Sequence, residues 1–268
     1  MILTSFGKPN SFRRKAATLV MATINTASLQ PLGHREAMGL AETEFVRMVD
    51  LLNSLSSDDW PRPTVCEEWD VRAMASHVLA MAEAQASMRQ FAHDFRAASK
   101  RKDGRMIDAM TGTQVRERAS MTPAAITAGL AAVASKAVQA RRRTPALVRW
   151  AVRFKQDPPF DAEKWQFGYL VDTIFTRDTW MHRLDISRAT GHSMVVTAEH
   201  DGRLIADVVA EWARRHGQPF ALTLSGAAGG VWRVGTEGEH IDIDALDFCW
   251  SVGSRQPGTG LLATEVPF

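Results

Sequence analysis

Between residues 36 and 55, Leu40, Phe45, Met48 and Leu52 recur at helical spacing with charged residues between them, which predicts an amphipathic first helix. Pro61 and Pro63 in the following DDWPRPTVCEEW cannot continue a helix and mark a break. Asp70 then stands as an N-cap before VRAMASHVLAMAEAQASMRQF, a run of strong helix formers, so a second helix is expected from about 71 into the nineties. His77 falls two turns inside it. The stretch KRKDGRMIDAMTGTQ, residues 100–114, lacks periodicity and reads as a loop. Thr122 and Pro123 open a third, alanine-rich helix that ends near Arg141 to Arg143. After DPPFDAE a long candidate runs over 163–189, the length of a central bundle helix, and Gly191 is placed to stop it. A fifth helix over about 198–215 carries Leu204, Ile205, Val208, Val209 and Trp212 on one face.

From Phe220 the rhythm changes. FALTLSG, GVWRVG and HIDID are short alternating or apolar runs separated by glycines, the pattern of strands and turns. The chain as a whole is therefore expected to be mainly α. It divides into an N-terminal extension over 1–35, expected to be flexible, a helical bundle over 36–217, and a small α+β C-terminal domain over 218–268.

Composition adds mostly exclusions. At 268 residues the chain can bury a substantial core, and with 45% apolar and 23% charged residues and a net charge of +2 it names no nucleic-acid or membrane partner. Cys66 and Cys249 are too far apart in sequence and context to write a disulfide framework or a thiolate cluster, so a reducing cytoplasm is the expected location. The N-terminal apolar run is short and broken by Thr18, Thr23 and Asn25, which makes a poor secretory segment; Met21 offers a second start that would leave residues 1–20 as an extension. No run of about 18 apolar residues exists, so no membrane-spanning helix is expected. RRRTPALVRWAVRFK, residues 141–155, places six basic side chains around Trp150. It reads as a solvated face, with a regulatory module contacting nucleic acid as the alternative it leaves open.

The candidate chemistry lies in TRDTWMHRLDISRA, residues 176–189, where Asp178 and His182 are four apart and project from one helical face. Helices place Asp and His four apart often by chance, so such a pair alone is a weak signal that also reads as a surface hydrogen bond or an i,i+4 interaction. His77 sits among Ala73, Met74, Ala80 and Met81, an apolar face where an imidazole needs a partner, whether a hydrogen bond in the core or an ion. Together the three residues supply two imidazoles and a carboxylate from two helices, ligands that zinc accepts while keeping a fourth position for water or substrate. Non-haem Fe(II) takes the same donors, so ligand type does not choose the ion. Asp185, on the same face, can orient His182 or pair with Arg188. Trp69, Trp180 and Cys66 read as packing residues, and His192, His200, His216 and His240 lack ligand-like spacing.

DWPRPTVCEEWDVRAMASHVLA (59–80), FTRDTWMHRLDISRATG (175–191) and LDFCWSVGSRQPGTGLLATEVPF (246–268) carry a resemblance. In order, they give W-x-x-P-T-x-C-x-x-W, a histidine in the next helix, and W-x-H-x-x-D-I. Over about residues 36–268 the chain resembles the mycothiol-dependent maleylpyruvate isomerase family of the DinB-like superfamily. That resemblance implies a DinB-like four-helix bundle followed by a small α+β C-terminal domain related to sterol carrier folds. It implies metal ligation by His77, Asp178 and His182, with Zn2+ or another divalent metal. It further implies mycothiol or a related low-molecular-weight thiol as cofactor, a small electrophilic molecule as substrate, and isomerase or transferase activity. The family has a Gly-Arg pair at its substrate pocket; here the residues read Gly253-Ser254-Arg255, which makes Arg255 the counterpart for holding a substrate carboxylate. The alternative is a non-catalytic, metal-containing protein that binds a small ligand. Nothing in the sequence fixes the oligomeric state.

Overall fold

The computed structural model describes residues 23–25, 29–100 and 105–268. Within the N-terminal extension, Thr23–Asn25 form a short strand, β1; the expectation of flexibility for residues 1–22 and 26–28 lies outside the described residues. Helix α1 (His34–Ser54) buries Ala37, Met38, Ala41, Phe45, Met48 and Leu52 along the face that the periodicity marks. Helix α2 (Val71–Ala86) starts where Asp70 caps it, the carboxylate accepting from the Ala73 amide at 2.7 Å.

Two departures from the sequence reading follow. The second helix does not run into the nineties: Ser87 is extended (φ −143°, ψ 112°), and its hydroxyl accepts from the Gln90 amide to cap a separate helix α3 (Met88–Ser99). Ser87 followed by Gln90 has the spacing of a capping box, a signal hidden by the helix formers on both sides. The stretch read as a loop instead holds helix α4 (Met106–Glu117), with residues 101–104 outside the described ones. Gly112 between two threonines gives α4 little propensity of its own. It packs against α2 and α3, and burial of Ala109, Thr113 and Gln114 overrides local preference.

Helix α5 (Pro123–Arg142) has its proline at the first turn and its Thr122 cap, as expected. Beyond it come a short helix α6 (Ala146–Ala151) and the antiparallel pair β2 (Arg153–Lys155) and β3 (Lys164–Gln166). The long central helix, expected from about 163, starts only at α7 (Phe167–Tyr169), because Lys164–Gln166 pair with β2 as β3, and runs on through a π-helical turn (Leu170–Ile174) into α8 (Phe175–Thr190). Gly191, at φ 77°, ends it, its amide donating to the Ser187 carbonyl at 2.9 Å. Helices α1, α2, α5 and α8 pack as a four-helix bundle, α1 and α2 each lying against both α5 and α8.

A π-helical turn (Ala198–Gly202) leads into α9 (Arg203–His216). Strands β4 (Phe220–Ser225), β5 (Gly230–Val234) and β6 (Glu239–Asp244) follow, then α10 (Ala245–Val252). The sheet order is β1-β5-β4-β6, with β4 antiparallel to β5 and parallel to β6, and with β1 running parallel to β5. Alternation along β4 buries Phe220, Leu222 and Leu224. The fold is thus mainly α with a small α+β C-terminal part.

Two apolar cores result, and α8 serves both: Ile186 joins the bundle core with Met74, Val78 and Leu130, whereas Trp180, Met181 and Leu184 join the C-terminal core with Trp212, Phe220 and Phe248. A buried ionic network crosses between them. Arg183 donates to both oxygens of Glu44 at 2.6 and 3.0 Å and to Asp201 at 2.8 Å, and Arg47 pairs with Asp201. The register of α8 is fixed from both sides. No helix among the described residues is long and apolar enough to cross a membrane.

Candidate metal centre

The i,i+4 spacing on α8 places Asp178 and His182 one turn apart on its inner face, and the packing of α2 against α8 brings His77 to meet them. His182 Nε2 stands 3.4 Å from Asp178 Oδ1, and His77 Nε2 stands 3.8 Å from Asp178 Oδ2. The imidazole rings are perpendicular with centroids 5.2 Å apart, and one donor atom from each of the three residues falls within 4.8 Å of the others. Both nitrogen-to-oxygen distances are longer than an ordinary hydrogen bond. They approach the roughly 3.3 Å that separates two ligand atoms sharing a tetrahedral ion at bond lengths of about 2.0–2.1 Å.

The opposite edge of each ring is occupied. His77 Nδ1 lies 3.0 Å from Gln114 Oε1, and His182 Nδ1 lies 3.0 Å from Asp185 Oδ2. Each Nε2 therefore faces Asp178, an arrangement in which both Nε2 atoms can share one ion with the carboxylate. Both histidines are buried, but the Asp178 side chain keeps 21% exposure, so the centre opens on that side. Burial alone would raise the Asp178 pKa, yet His182 and His77 beside it hold the carboxyl well below the usual carboxylate range. Burial alone would lower the His182 pKa, and the Asp178 carboxylate, helped by Asp185, raises it instead. A dense pair of opposite charges occupies a volume suited to a cation bound by one carboxylate and two neutral imidazoles.

Arg255 reaches the same cluster from the end of α10. Its Nε and Nη2 donate to Asp185 at 3.2–3.3 Å, and Nη1 donates to the Gly253 carbonyl at 3.2 Å. The serine between the expected glycine and arginine takes the left-handed conformation (φ 60°), and the chain turns back so that the Arg255 amide donates to the Trp250 carbonyl. Asp185 is thus engaged by both His182 and Arg255, while Arg188 pairs with Asp247. The Trp69 ring packs against His77 and His182 at centroid distances of 5.1 and 6.2 Å, forming a wall of the centre. Cys66 is partly buried nearby, and desolvation pushes its thiol up. Trp180 lies in the C-terminal core with its indole N–H on Asp201.

Gln114 and Asp94, both fully buried, have no precedent in the sequence reading, because Gln114 lies in the stretch read as a loop. No local signal pointed to them. Of the other histidines set aside in the sequence, His192 pairs with Asp59, His200 with Glu44, and His216 packs against Trp212, while His240 is exposed on β6. In the basic 141–155 segment, Arg141 is buried against the Val171 carbonyl and Thr176, and Arg142 and Arg149 pair with Glu42 and Asp172. A second cluster, His93, Asp94 and Glu117, closes on itself: His93 bonds Glu117 directly at 2.8 Å, and the Asp94 oxygens accept from Gln90 and Gln114.

Two solved structures share the architecture. A mycothiol-dependent maleylpyruvate isomerase aligns with a TM-score of 0.54 at 13% identity, over 87% of this chain and 93% of that one. A single-residue variant of that isomerase aligns with the same TM-score and coverage at 12% identity. At such identity the likeness speaks for the fold. No curated protein sequence matches the chain. Residues 41–187, more than half of the chain, match the family described as the mycothiol maleylpyruvate isomerase N-terminal domain, and they span α1 through α8 with all three candidate ligands. The chain belongs to the mycothiol maleylpyruvate isomerase N-terminal domain family.

Proposed function

We propose that this protein is a metal-dependent enzyme that uses mycothiol or a related low-molecular-weight thiol to isomerise, or transfer the thiol to, a small electrophilic substrate of the maleylpyruvate type. The observation that carries this reading is the convergence of His77, Asp178 and His182, each imidazole turned with Nε2 inward and Nδ1 bonded outward. The reading treats 36–217 as the metal-binding bundle and 218–268 as a C-terminal domain that contributes Arg255.

His77, Asp178 and His182 would hold a divalent ion, Zn2+ by donor type, and as three protein ligands would leave a position for water or substrate. When bound, such an ion supplies a Lewis acid that favours the thiolate form of a thiol at neutral pH. Asp185 accepts from His182 Nδ1 and keeps its Nε2 directed inward. Trp69 covers both imidazoles and limits water on that flank. Arg255, held by Asp185 and partly exposed, offers guanidinium N–H groups to a substrate carboxylate. In isomerisation the thiol sulfur adds to the cis double bond, the single bond so formed rotates, and the sulfur leaves again, so that the thiol is returned unchanged.

The test pairs elemental analysis with an activity assay. Wild type is expected to carry a stoichiometric divalent ion, to lose it in His182→Ala, and to consume thiol or isomerise maleylpyruvate only when loaded. Metal retained without turnover on any electrophile would favour a non-catalytic binding protein, and wild type with no bound metal would end the reading.

A further inference from the structure

Outside the candidate ligands a buried polar assembly lies behind His77. Gln114, from α4, places its Oε1 at 3.0 Å from His77 Nδ1, while its Nε2 lies 3.0 Å from Asp94 Oδ2 and 3.5 Å from the Met81 sulfur. Asp94, from α3, takes a further hydrogen bond on its other oxygen from the Gln90 side chain at 2.7 Å. Asp94 and Gln114 are both 0% exposed, so water cannot substitute for any of these partners.

The directions of these bonds form a one-way chain. A carboxylate only accepts, so Asp94 must receive the amide N–H of Gln114, and the thioether on the same side is likewise an acceptor. That fixes which end of the amide faces His77: the carbonyl oxygen, which also only accepts. His77 must then carry its proton on Nδ1. In a neutral imidazole with Nδ1–H, the lone pair is on Nε2, the atom that faces Asp178.

We propose that Gln114, oriented by Asp94, is a positioning residue that sets the tautomer of His77 and makes Nε2 its metal-binding atom. This rests on the metal-centre reading above and deepens it. The two histidines are held by different chemistry: His182 by a charged carboxylate that also binds Arg255, His77 by a neutral amide whose direction is dictated one residue further out. It also gives α4 a role, since this helix of low propensity delivers Gln114 to the bundle.

The test reads the ring nitrogens of His77 and the metal affinity separately. In the zinc-loaded wild type with 15N-labelled histidine, long-range proton–nitrogen spectra should show His77 protonated at Nδ1 and coordinated through Nε2. Gln114→Leu, of similar size but without an acceptor, should bind zinc roughly 10–100-fold more weakly in competition with a chromophoric chelator, the range typical for loss of such a partner. Asp94→Asn, which lets the Gln114 amide turn either way, should give a smaller loss and serves if the leucine variant does not fold. Coordination of His77 through Nδ1, or affinities of both variants within about twofold of wild type, would overturn the proposal while leaving the metal centre in place. A wild type that binds no zinc would instead remove the metal-centre reading, and this one with it.

Discussion

Asp185 is where the geometry makes its sharpest quantitative demand. Its carboxylate accepts from His182 Nδ1 at 3.0 Å and from Arg255 Nε and Nη2 at 3.2–3.3 Å, and its side chain is fully buried. Asp185→Asn keeps the shape but replaces one accepting oxygen by a donor. Oδ2 already accepts from both His182 Nδ1 and Arg255 Nη2, so the remaining carbonyl oxygen keeps His182 and the new amide NH2 faces the Arg255 Nε that Oδ1 had served. Arg255 is partly exposed and can turn that N–H to water, so the main loss falls on His182. What His182 then loses is the difference between a charged and a neutral acceptor, about 1–1.5 kcal/mol from the usual values of about 1.5–3 and 0.5–1.5 kcal/mol. That corresponds to metal binding weakened about tenfold. Asp185→Leu strands the Nδ1–H as well, and the loss is expected to move toward about 100-fold. Chelator competition on both variants, with thermal unfolding as a check on the fold, measures the series. Equal affinities for wild type, asparagine and leucine in folded proteins would refute the reasoning, because His182 would then need no outer partner.

Two further outcomes follow from the buried charges. Arg183→Leu leaves Glu44 and Asp201 without their shared cation; because His200, Arg47 and the Trp180 indole still serve those carboxylates, the loss is expected near the low end of the 3–5 kcal/mol range, about 3 kcal/mol, or roughly 6–12 °C in Tm by differential scanning calorimetry. An unchanged Tm would show that the network is dispensable. Burial would raise the Glu211 pKa, but Arg177, Tyr169 and Arg215 lower it. A carboxylate depressed in the fold contributes stability that is present above its unfolded pKa, about 4.3, and is lost as pH falls through the folded value. Urea midpoints should therefore fall as pH drops below about 4.3. In Glu211→Gln this acid-side slope should be shallower, and an identical slope would contradict the assignment.

The sequence by itself determined what depends on near neighbours. Periodicity marked α1 and the apolar face of α9, Asp70 and Thr122 with the helix formers after them marked α2 and α5, and Gly191 marked the end of α8. The four-residue spacing of Asp178 and His182 put both on one face, since a helix turns by a fixed angle per residue wherever it is. Alternation in FALTLSG and HIDID fixed β4 and β6, though not their parallel pairing. Only the tertiary structure decided what depends on distant residues. It made a helix of 106–117 against its propensity, because burial against neighbouring helices outweighs a few tenths of a kcal/mol per residue. It brought His77 to within 3.8 Å of Asp178, 101 positions away in the chain, and set Gln114 behind the His77 imidazole. It also turned Arg255 onto Asp185 through the left-handed Ser254. These placements come from side chains filling the space between packed helices, and no short stretch of sequence contains both partners of any such contact.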